Sequence, residues 1–333
     1  MARNPTLKDV AISVGVSEMT VSRALRGAAD VSGGTRDKIM AAAARLGYVP
    51  NRIAGSLASR SVNLVGVVVP SLSSFVFPEV LSGISKSLAN SALQPVIGVS
   101  GYDLAAEEKV VREMLSWRPK GLIVAGLEHS AATRKMLQSA DIPIVEVMDV
   151  DGQAVDYCVG ISHLEAGRLM AAAIVAKGYR NIGFIGTKMP FDFRARKRLA
   201  GFKKGLADAR LALHATELYD GSSSIAKGRE LTAAVLKASP GIDCLYYSSD
   251  VMSIGGLMHC LAEGLSVPKD LALAGFNGLD QLDGLPVRLA TTNAFRLEIG
   301  QKAAEIILKA GGADEIRTKR HILKPVVMPG ASL

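Results

Sequence analysis

The sequence predicts a small all-α segment at the front of the chain, followed by an α/β core of two doubly wound parallel-sheet lobes. Three observations carry this reading. Apolar residues between positions 6 and 46 recur at helical spacing, interrupted by Gly15, Gly27 and Gly47. From residue 62 onward, apolar runs of strand length alternate with helical stretches, the pattern of βαβ units whose sheets are covered on both faces. The charge is also divided unevenly. Residues 1–61 carry nine Lys/Arg against four Asp/Glu, whereas the other 272 residues carry 30 against 27. Most of the net +8 therefore sits in under a fifth of the chain. This points to a polyanionic partner, although a solvated basic tail meets the charge alone equally well.

In chain order, Thr6-Leu-Lys-Asp9 reads as a capping-box start with Asp9 in place of the usual Glu, and Val10, Ala11 and Val14 follow as apolar positions. Gly15 ends this helix. Ser17 caps the next, Glu18 to Leu25, which Gly27 ends, and a third runs from Thr35 to Leu46 with Gly47 as its stop. Gly33-Gly34 weakens the first turn of this third helix by about 1 kcal/mol per Gly relative to Ala. Asn51 caps a helix of two turns, too short to persist alone and therefore conditional. Strand-like runs then occur at Leu64–Val69, Pro95–Val99, Gly121–Ala125, Ile144–Val147, Tyr157–Ile161, Asn181–Ile185, Cys244–Tyr247 and Leu271–Gly275. Helical stretches lie between most of them, among them Glu107–Trp117, Leu164–Lys177, Ala195–Ala209 and Asp250–Glu263. The expected domains are residues 1–49, a hinge and linker at 50–61, and a two-lobed core at 62–333.

Composition narrows the class. Hydrophobic residues make up 49% and charged residues 21%, which suits globular cores, and with aromatics at 5% those cores must be aliphatic. Cys158, Cys244 and Cys260 share no motif spacing and lie in apolar runs, so buried reduced thiols are expected, and with them a reducing compartment. The first residues hold no signal-peptide core and no apolar run reaches the roughly 18 residues of a membrane span, so a cytoplasmic protein is expected.

Residues 6–25 form helix, glycine-containing turn, helix, with Val16 and Val21 placed to pack the pair. The second helix turns Glu18, Met19, Thr20, Ser22 and Arg23 outward, side chains able to reach base edges or phosphates from the major groove. A generic αα-hairpin shares this pattern. The run Thr6-Leu-Lys-Asp-Val-Ala, then Gly15-Val-Ser-Glu-Met-Thr-Val-Ser-Arg23, Val31-Ser, Thr35-Arg and Leu46-Gly-Tyr-Val-Pro-Asn-Arg52, resembles the LacI-family headpiece over about 50 residues. The resemblance implies a helix-turn-helix DNA-binding headpiece joined to a periplasmic-binding-protein-like core. It implies that Glu18 and Met19 read operator bases, while Thr20, Ser22 and Arg23 hold phosphates or flank those contacts. Thr6 and Ser17, at the two helix starts, complete the DNA-facing set. Asn51 and Arg52 begin the hinge helix, and Leu57 matches the leucine that the family inserts into the minor groove to kink the duplex.

Residues 62–333 resemble the family's effector-binding core, most nearly its gluconate-utilisation repressor branch. The runs that carry this are Pro70-Ser-Leu-Ser-Ser-Phe-Val-Phe-Pro-Glu-Val-Leu-Ser-Gly-Ile84, Met114-Leu-Ser-Trp117, Val145-Glu-Val-Met-Asp149 and Ala274-Gly-Phe-Asn-Gly-Leu-Asp280. In such a core the ligand lies between the lobes, near the C-terminal ends of strands. Polar residues after strand-like runs are therefore the candidates: Ser71, Ser73 and Ser74, with Phe75 and Phe77 to shield a ligand, then Asp149, Ser249, Asp250 and Asn277. For an isolated Asp or Ser after a strand, capping the next helix is the commoner role, and Asp250 is open to that reading. Arg196 matches the family's effector-binding arginine and suits bidentate carboxylate recognition. Arg194 and Arg198 are expected to be solvated; His163 follows a strand and is open to the cleft, although a helix-capping or surface role is the commoner. Asn277 stands where many relatives carry Asp, which lessens repulsion of an acidic ligand. The expected effector is a sugar or sugar acid such as gluconate. A neutral sugar or nucleoside-like ligand is the alternative.

No cofactor and no metal are expected. An enzyme with Rossmann-like lobes is opposed by the lack of Gly-x-Gly-x-x-Gly, P-loop, His-Glu-x-x-His or Gly-x-Ser-x-Gly motifs. A sugar-transport protein has no need of the headpiece. The end of the chain, His321 to Leu333, reads as a last strand and short tail without a heptad helix, so a homodimer on a pseudo-palindromic operator is expected. Leu57→Ala is expected to cut operator affinity in a shift assay while leaving folding and ligand binding of the core intact. Unchanged operator affinity removes the wedge role.

Overall fold

The computed structural model describes residues 3–49, 62–73, 75–188 and 192–333. The chain divides into two units, residues 1–62 and 63–333. The expected hinge at 50–61, with Asn51, Arg52 and Leu57, lies outside the described residues, as do Ser74 and Phe191.

The first unit holds three helices, α1 (Leu7–Val14), α2 (Glu18–Leu25) and α3 (Gly33–Leu46). The capping box at Thr6 forms: its hydroxyl accepts from the Asp9 amide, and the Asp9 carboxylate accepts from the Thr6 amide at 2.7 Å. Asp9 thus fills the Glu position, and the Thr6 hydroxyl and amide bonds, with Arg3, hold its carboxyl near pKa 2. Gly15 and Gly47 take the left-handed C-terminal conformation that their type allows. Val10, Ala11, Val21, Ala24, Ile39 and Ala42 close the small core between the helices. The glycine pair does not delay α3, which begins at Gly33 rather than Thr35.

The second unit contains β1 (Leu64–Val69), α4 (Val76–Leu88), β2 (Gln94–Val99), α5 (Leu104–Ser116), β3 (Gly121–Ala125), α6 (Ala131–Gln138), β4 (Ile144–Val147) and β5 (Tyr157–Gly160). The chain then crosses to a second sheet and forms α7 (His163–Ala176), β6 (Ile182–Thr187), α8 (Phe193–Asp208), β7 (Ala215–Tyr219), α9 (Ile225–Ala238), β8 (Cys244–Tyr247), α10 (Asp250–Ala262) and β9 (Ala272–Ala274). After β10 (Thr291–Asn293) it returns for α11 (Arg296–Lys309) and β11 (Arg320–Ile322), and it crosses a third time to β12 (Val326–Met328). The first sheet has the order β11-β5-β4-β3-β1-β2 and the second β7-β6-β8-β9; all their pairs are parallel. β10 and β12 pair antiparallel beside the second. Each sheet is covered on both faces, which is the doubly wound arrangement the apolar strand runs required.

Three of the four sheet faces are built on a close helix crossing. A Cβ on Gly83 would overlap the Leu297 carbonyl and one on Gly300 the Val80 carbonyl, so α4 and α11 meet backbone to backbone. Gly167 and Gly201 do the same for α7 and α8, and Gly228 and Gly255 for α9 and α10. The three crossings between lobes converge on one cluster, in which Ile161, Phe276 and Ala294 pack with Phe295 and Leu323. The three cysteines are buried and free. No helix among the described residues is long and apolar enough to cross a membrane.

A buried charge triad ties the first lobe together. His129 Nδ1 lies 2.7 Å from Glu107 Oε1 on α5, and Nε2 lies 3.2 Å from Glu146 Oε1 on β4, with the imidazole closed to solvent. Burial alone would lower the His129 pKa, but the hydrogen bonds it donates to both glutamates outweigh it and raise it from 6.5 to about 9. A raised pKa means that the folded state holds the proton more tightly. The stability it brings is complete below pH 6.5 and is lost as pH rises towards 9. Urea unfolding of the wild type between pH 6 and 9.5 should show this loss, and His129→Gln should flatten it at a lower starting stability.

Candidate nucleic-acid interface and ligand cleft

In the first unit, α2 buries Val21 and Ala24 and turns its other faces outward. Ser17 closes its start, its hydroxyl accepting from the Thr20 amide at 3.1 Å and pairing with the Thr20 hydroxyl at 2.9 Å. Glu18 and Met19 then project from the first turn, and Met19 is 66% exposed, a large apolar side chain that no core contact accounts for. Ser22 accepts from Arg26 Nη2, and Arg23 pairs with Asp30. The Thr6 hydroxyl is engaged in its cap. The residues free to meet a partner at the front of α2 are thus Glu18 and Met19, the pair expected to read bases.

In the second unit a cavity of about 340 Å³ opens between the two sheets. Ser71, Ser73, Phe75, Phe77, Ser249 and Asn277 line it, six of the ten residues expected there, of which Ser74 is not described. Phe77 is buried at the wall and Phe75 stands half exposed at the rim. The Ser249 hydroxyl is buried and meets no hydrogen-bond partner among the described residues.

Arg196, Asp149 and Asp250 do not line the cleft. Arg196 is exposed on α8, its guanidinium 4.6 Å from the Phe193 ring centre. Asp149 is fully buried, bound by Lys197 Nζ at 2.5 Å and by the Asp151 amide at 2.8 Å, while Lys197 also reaches Glu128. This joins α8 of the second lobe to the first. Asp250 is buried beneath the turn after β9, accepting from the Leu279 amide and the Thr291 hydroxyl. Burial pushes its pKa up to about 6, with the Thr291 bond acting in the opposite direction. Both bonds tie it to the segments that flank Asn277.

The cleft's cations are instead Arg194 and Arg198, both expected in solvent. Arg198 is buried. Its Nη1 donates to His163 Nδ1 at 3.1 Å, Nη2 donates to the Ser248 carbonyl at 3.1 Å, and its guanidinium carbon sits 3.9 Å from the Phe276 ring centre. Its Nε finds no acceptor, and no carboxylate forms an ion pair with it among the described residues. Burial lowers its pKa from the usual guanidinium value, with Asp192 opposing part of that. His163 is likewise buried in the cleft wall. Burial and the charge of Arg198 hold its pKa well below 6.5, so a neutral ring donates from Nε2 to the Met148 carbonyl and accepts at Nδ1. Ser222 and Ser223, in the loop before α9, and Thr187 add hydroxyls.

The signal for Arg198 was present as periodicity. Ala195, Arg198, Phe202 and Leu206 form the buried stripe of α8, and Arg196 lies off it. Ser222 and Ser223 follow β7, an edge strand with exposed Thr216 and Glu217 and no apolar run to reveal it.

Two family models account for almost the whole chain. Residues 6–51 match the bacterial regulatory proteins of the lacI family, and residues 63–324 match the periplasmic binding proteins and sugar binding domain of the LacI family. The chain belongs to the LacI family. It is 36% identical to the HTH-type transcriptional regulator GntR of Escherichia coli K12 over 331 residues, 99% of each chain. A LacI-family transcriptional regulator from Silicibacter pomeroyi superposes with a TM-score of 0.94 at 55% identity, covering 98% of this chain and 99% of that one. The lac repressor dimer bound to operator and the anti-inducer ONPF superposes at 0.84, with 25% identity over 99% of both. This LacI-family chain is a DNA-binding transcriptional regulator, and its relatives are regulators rather than enzymes.

The α7–α8 crossing governs the cleft, because a methyl on Gly167 would meet the backbone carbonyl of Arg198 itself. Overpacking of this kind costs about 1–3 kcal/mol. Gly167→Ala should lower the melting temperature of the core and weaken ligand binding by displacing Arg198. Gly241→Ala, where a methyl meets open space, should leave calorimetric melting unchanged.

Proposed function

We propose that this protein is a cytoplasmic operator-binding repressor, a homodimer controlled by a sugar acid such as gluconate, which it binds without turnover. The observation that carries the effector is Arg198. A buried cation without a carboxylate partner is costly, and an anionic ligand removes the cost. The ligand's carboxylate would sit against Arg198, with Arg194, near Phe77 and Tyr102, as a second cation of the cleft. Asn277, a neutral amide, adds no repulsion. Hydroxyls would meet Ser71, Ser73, Ser222, Ser223 and the unpartnered Ser249, a set suited to a polyhydroxy chain. The cavity is large enough for a six-carbon acid. Binding between lobes acts on DNA only through a different affinity for their two settings. On the DNA side, Glu18 and Met19 would read bases, supported by their exposure at the start of α2. Asn51, Arg52 and Leu57 would form the hinge contact.

Calorimetry with gluconate and with neutral glucose tests the reading. The wild type should prefer the acid. Arg198→Met should lose about 3–5 kcal/mol of gluconate affinity, as when one partner of a buried ion pair is removed. Arg196→Met should change little. Equal affinity for acid and neutral sugar, or a greater loss at Arg196 than at Arg198, sinks it.

A further inference from the structure

Arg296 opens α11, just past the second crossing between the lobes, and is buried without lining the cleft. One edge of its guanidinium serves the second lobe: Nη1 donates to the Asn277 carbonyl and Nη2 to the Gly278 carbonyl at 3.3 Å. The same Nη2 lies 2.8 Å from Glu79 Oε2 in the first turn of α4, two residues beyond Phe77 of the cleft wall. A single side chain thus joins a turn of one lobe to a helix of the other.

The turn it holds needs holding. Asn277 has φ of 131°, a conformation that residues with a side chain rarely adopt and keep only where the surroundings impose it. Its amides are fixed from one side, by Asp250 on Leu279, the Thr291 hydroxyl on Gly278, and the Thr292 carbonyl on Asn277. Arg296 supplies the side-chain bonds to both carbonyls from the other side. Turning the peptide would swing the Asn277 side chain out of the cleft.

We propose that Arg296 is a positioning residue for the effector: it aims Asn277 at the ligand by holding both carbonyls of this turn, and through Glu79 it makes that aim depend on how α4 is set. This rests on the reading of Asn277 as a ligand contact. The alternative is a local structural role with no bearing on the ligand.

The test uses the full-length protein with Arg296→Gln, Arg296→Lys, Glu79→Gln and Asn277→Ala. Amide exchange without ligand reads the turn, and calorimetry with gluconate reads the cleft. Arg296→Gln should speed exchange at Gly278 and Leu279 while β6 and β8 keep their wild-type rates. It should weaken gluconate about tenfold, the scale of one lost hydrogen bond at a buried site. Combined with Asn277→Ala it should add little further loss, because both changes remove the same contact. Arg296→Lys should recover part of the affinity. Glu79→Gln, at a partly exposed carboxylate, should give a smaller change of the same kind, and it carries the comparison if Arg296→Gln fails to fold. Wild-type exchange and affinity in both Arg296→Gln and Glu79→Gln overturn the proposal, as do losses that add fully to that of Asn277→Ala. If gluconate does not bind the wild type, the sugar-acid reading falls, and exchange in the turn alone decides the role of Arg296.

Discussion

Backbone-to-backbone contact at three glycine pairs sets the spacing on which the core is built. Helices usually pack with their axes 8–10 Å apart, held off by side chains. Gly83 with Gly300, Gly167 with Gly201, and Gly228 with Gly255 remove those side chains at each crossing point. The helices then approach until carbonyls fill the space where a Cβ would stand. At α7 and α8 this closeness fixes more than packing. The carbonyl against Gly167 belongs to Arg198, and His163, one turn earlier on α7, accepts from that residue's guanidinium. The position of the cleft cation thus follows from the lack of a methyl group on the neighbouring helix.

The polar groups in and behind the cleft wall divide into those already satisfied by the protein and those left open. Asp149 and Asp250 belong to the first kind, each engaged by partners that fix a turn or join the lobes. Arg198 Nε and the Ser249 hydroxyl belong to the second. Both kinds are buried, so burial by itself does not mark a ligand contact. The distinguishing feature is incomplete hydrogen bonding, since a buried polar group without a partner is costly in a folded protein. The neutral ring of His163 helps to keep the site receptive, because it accepts a hydrogen bond from Arg198 without supplying a negative charge.

Much of this architecture was legible in the sequence, for identifiable physical reasons. Parallel strands buried on both faces appear as unbroken apolar runs, and all eight such runs became strands within one or two residues. The Thr6 and Ser17 caps and the Gly15 and Gly47 stops also formed as read. What escaped had no local signature. β7 is a half-exposed edge strand, β10 is three residues held by a partner far along the chain, and the single last strand read at the end of the chain is two short ones, β11 and β12. The cleft was mixed for a related reason. Residues after strands are easy to nominate, but whether an Asp there turns inward to a lysine or outward to a ligand depends on a second element. Arg196 and Arg198 differ by two positions, which on a helix is slightly more than a half-turn, and only the buried stripe of α8 separates them.

The three crossings at Ile161, Ala294 and Leu323 have a consequence for how the chain is made. The first sheet needs β11 as its edge strand, and its inner face needs α11, yet both lie after residue 295. The second lobe needs Ser332, whose hydroxyl receives the Ala290 amide and donates to the Leu273 carbonyl. Neither lobe is therefore complete on a ribosome-bound chain until almost the last residue has emerged. The headpiece, finished by residue 47, is ready long before them. A nascent chain therefore carries a complete headpiece well before it has a core to control it.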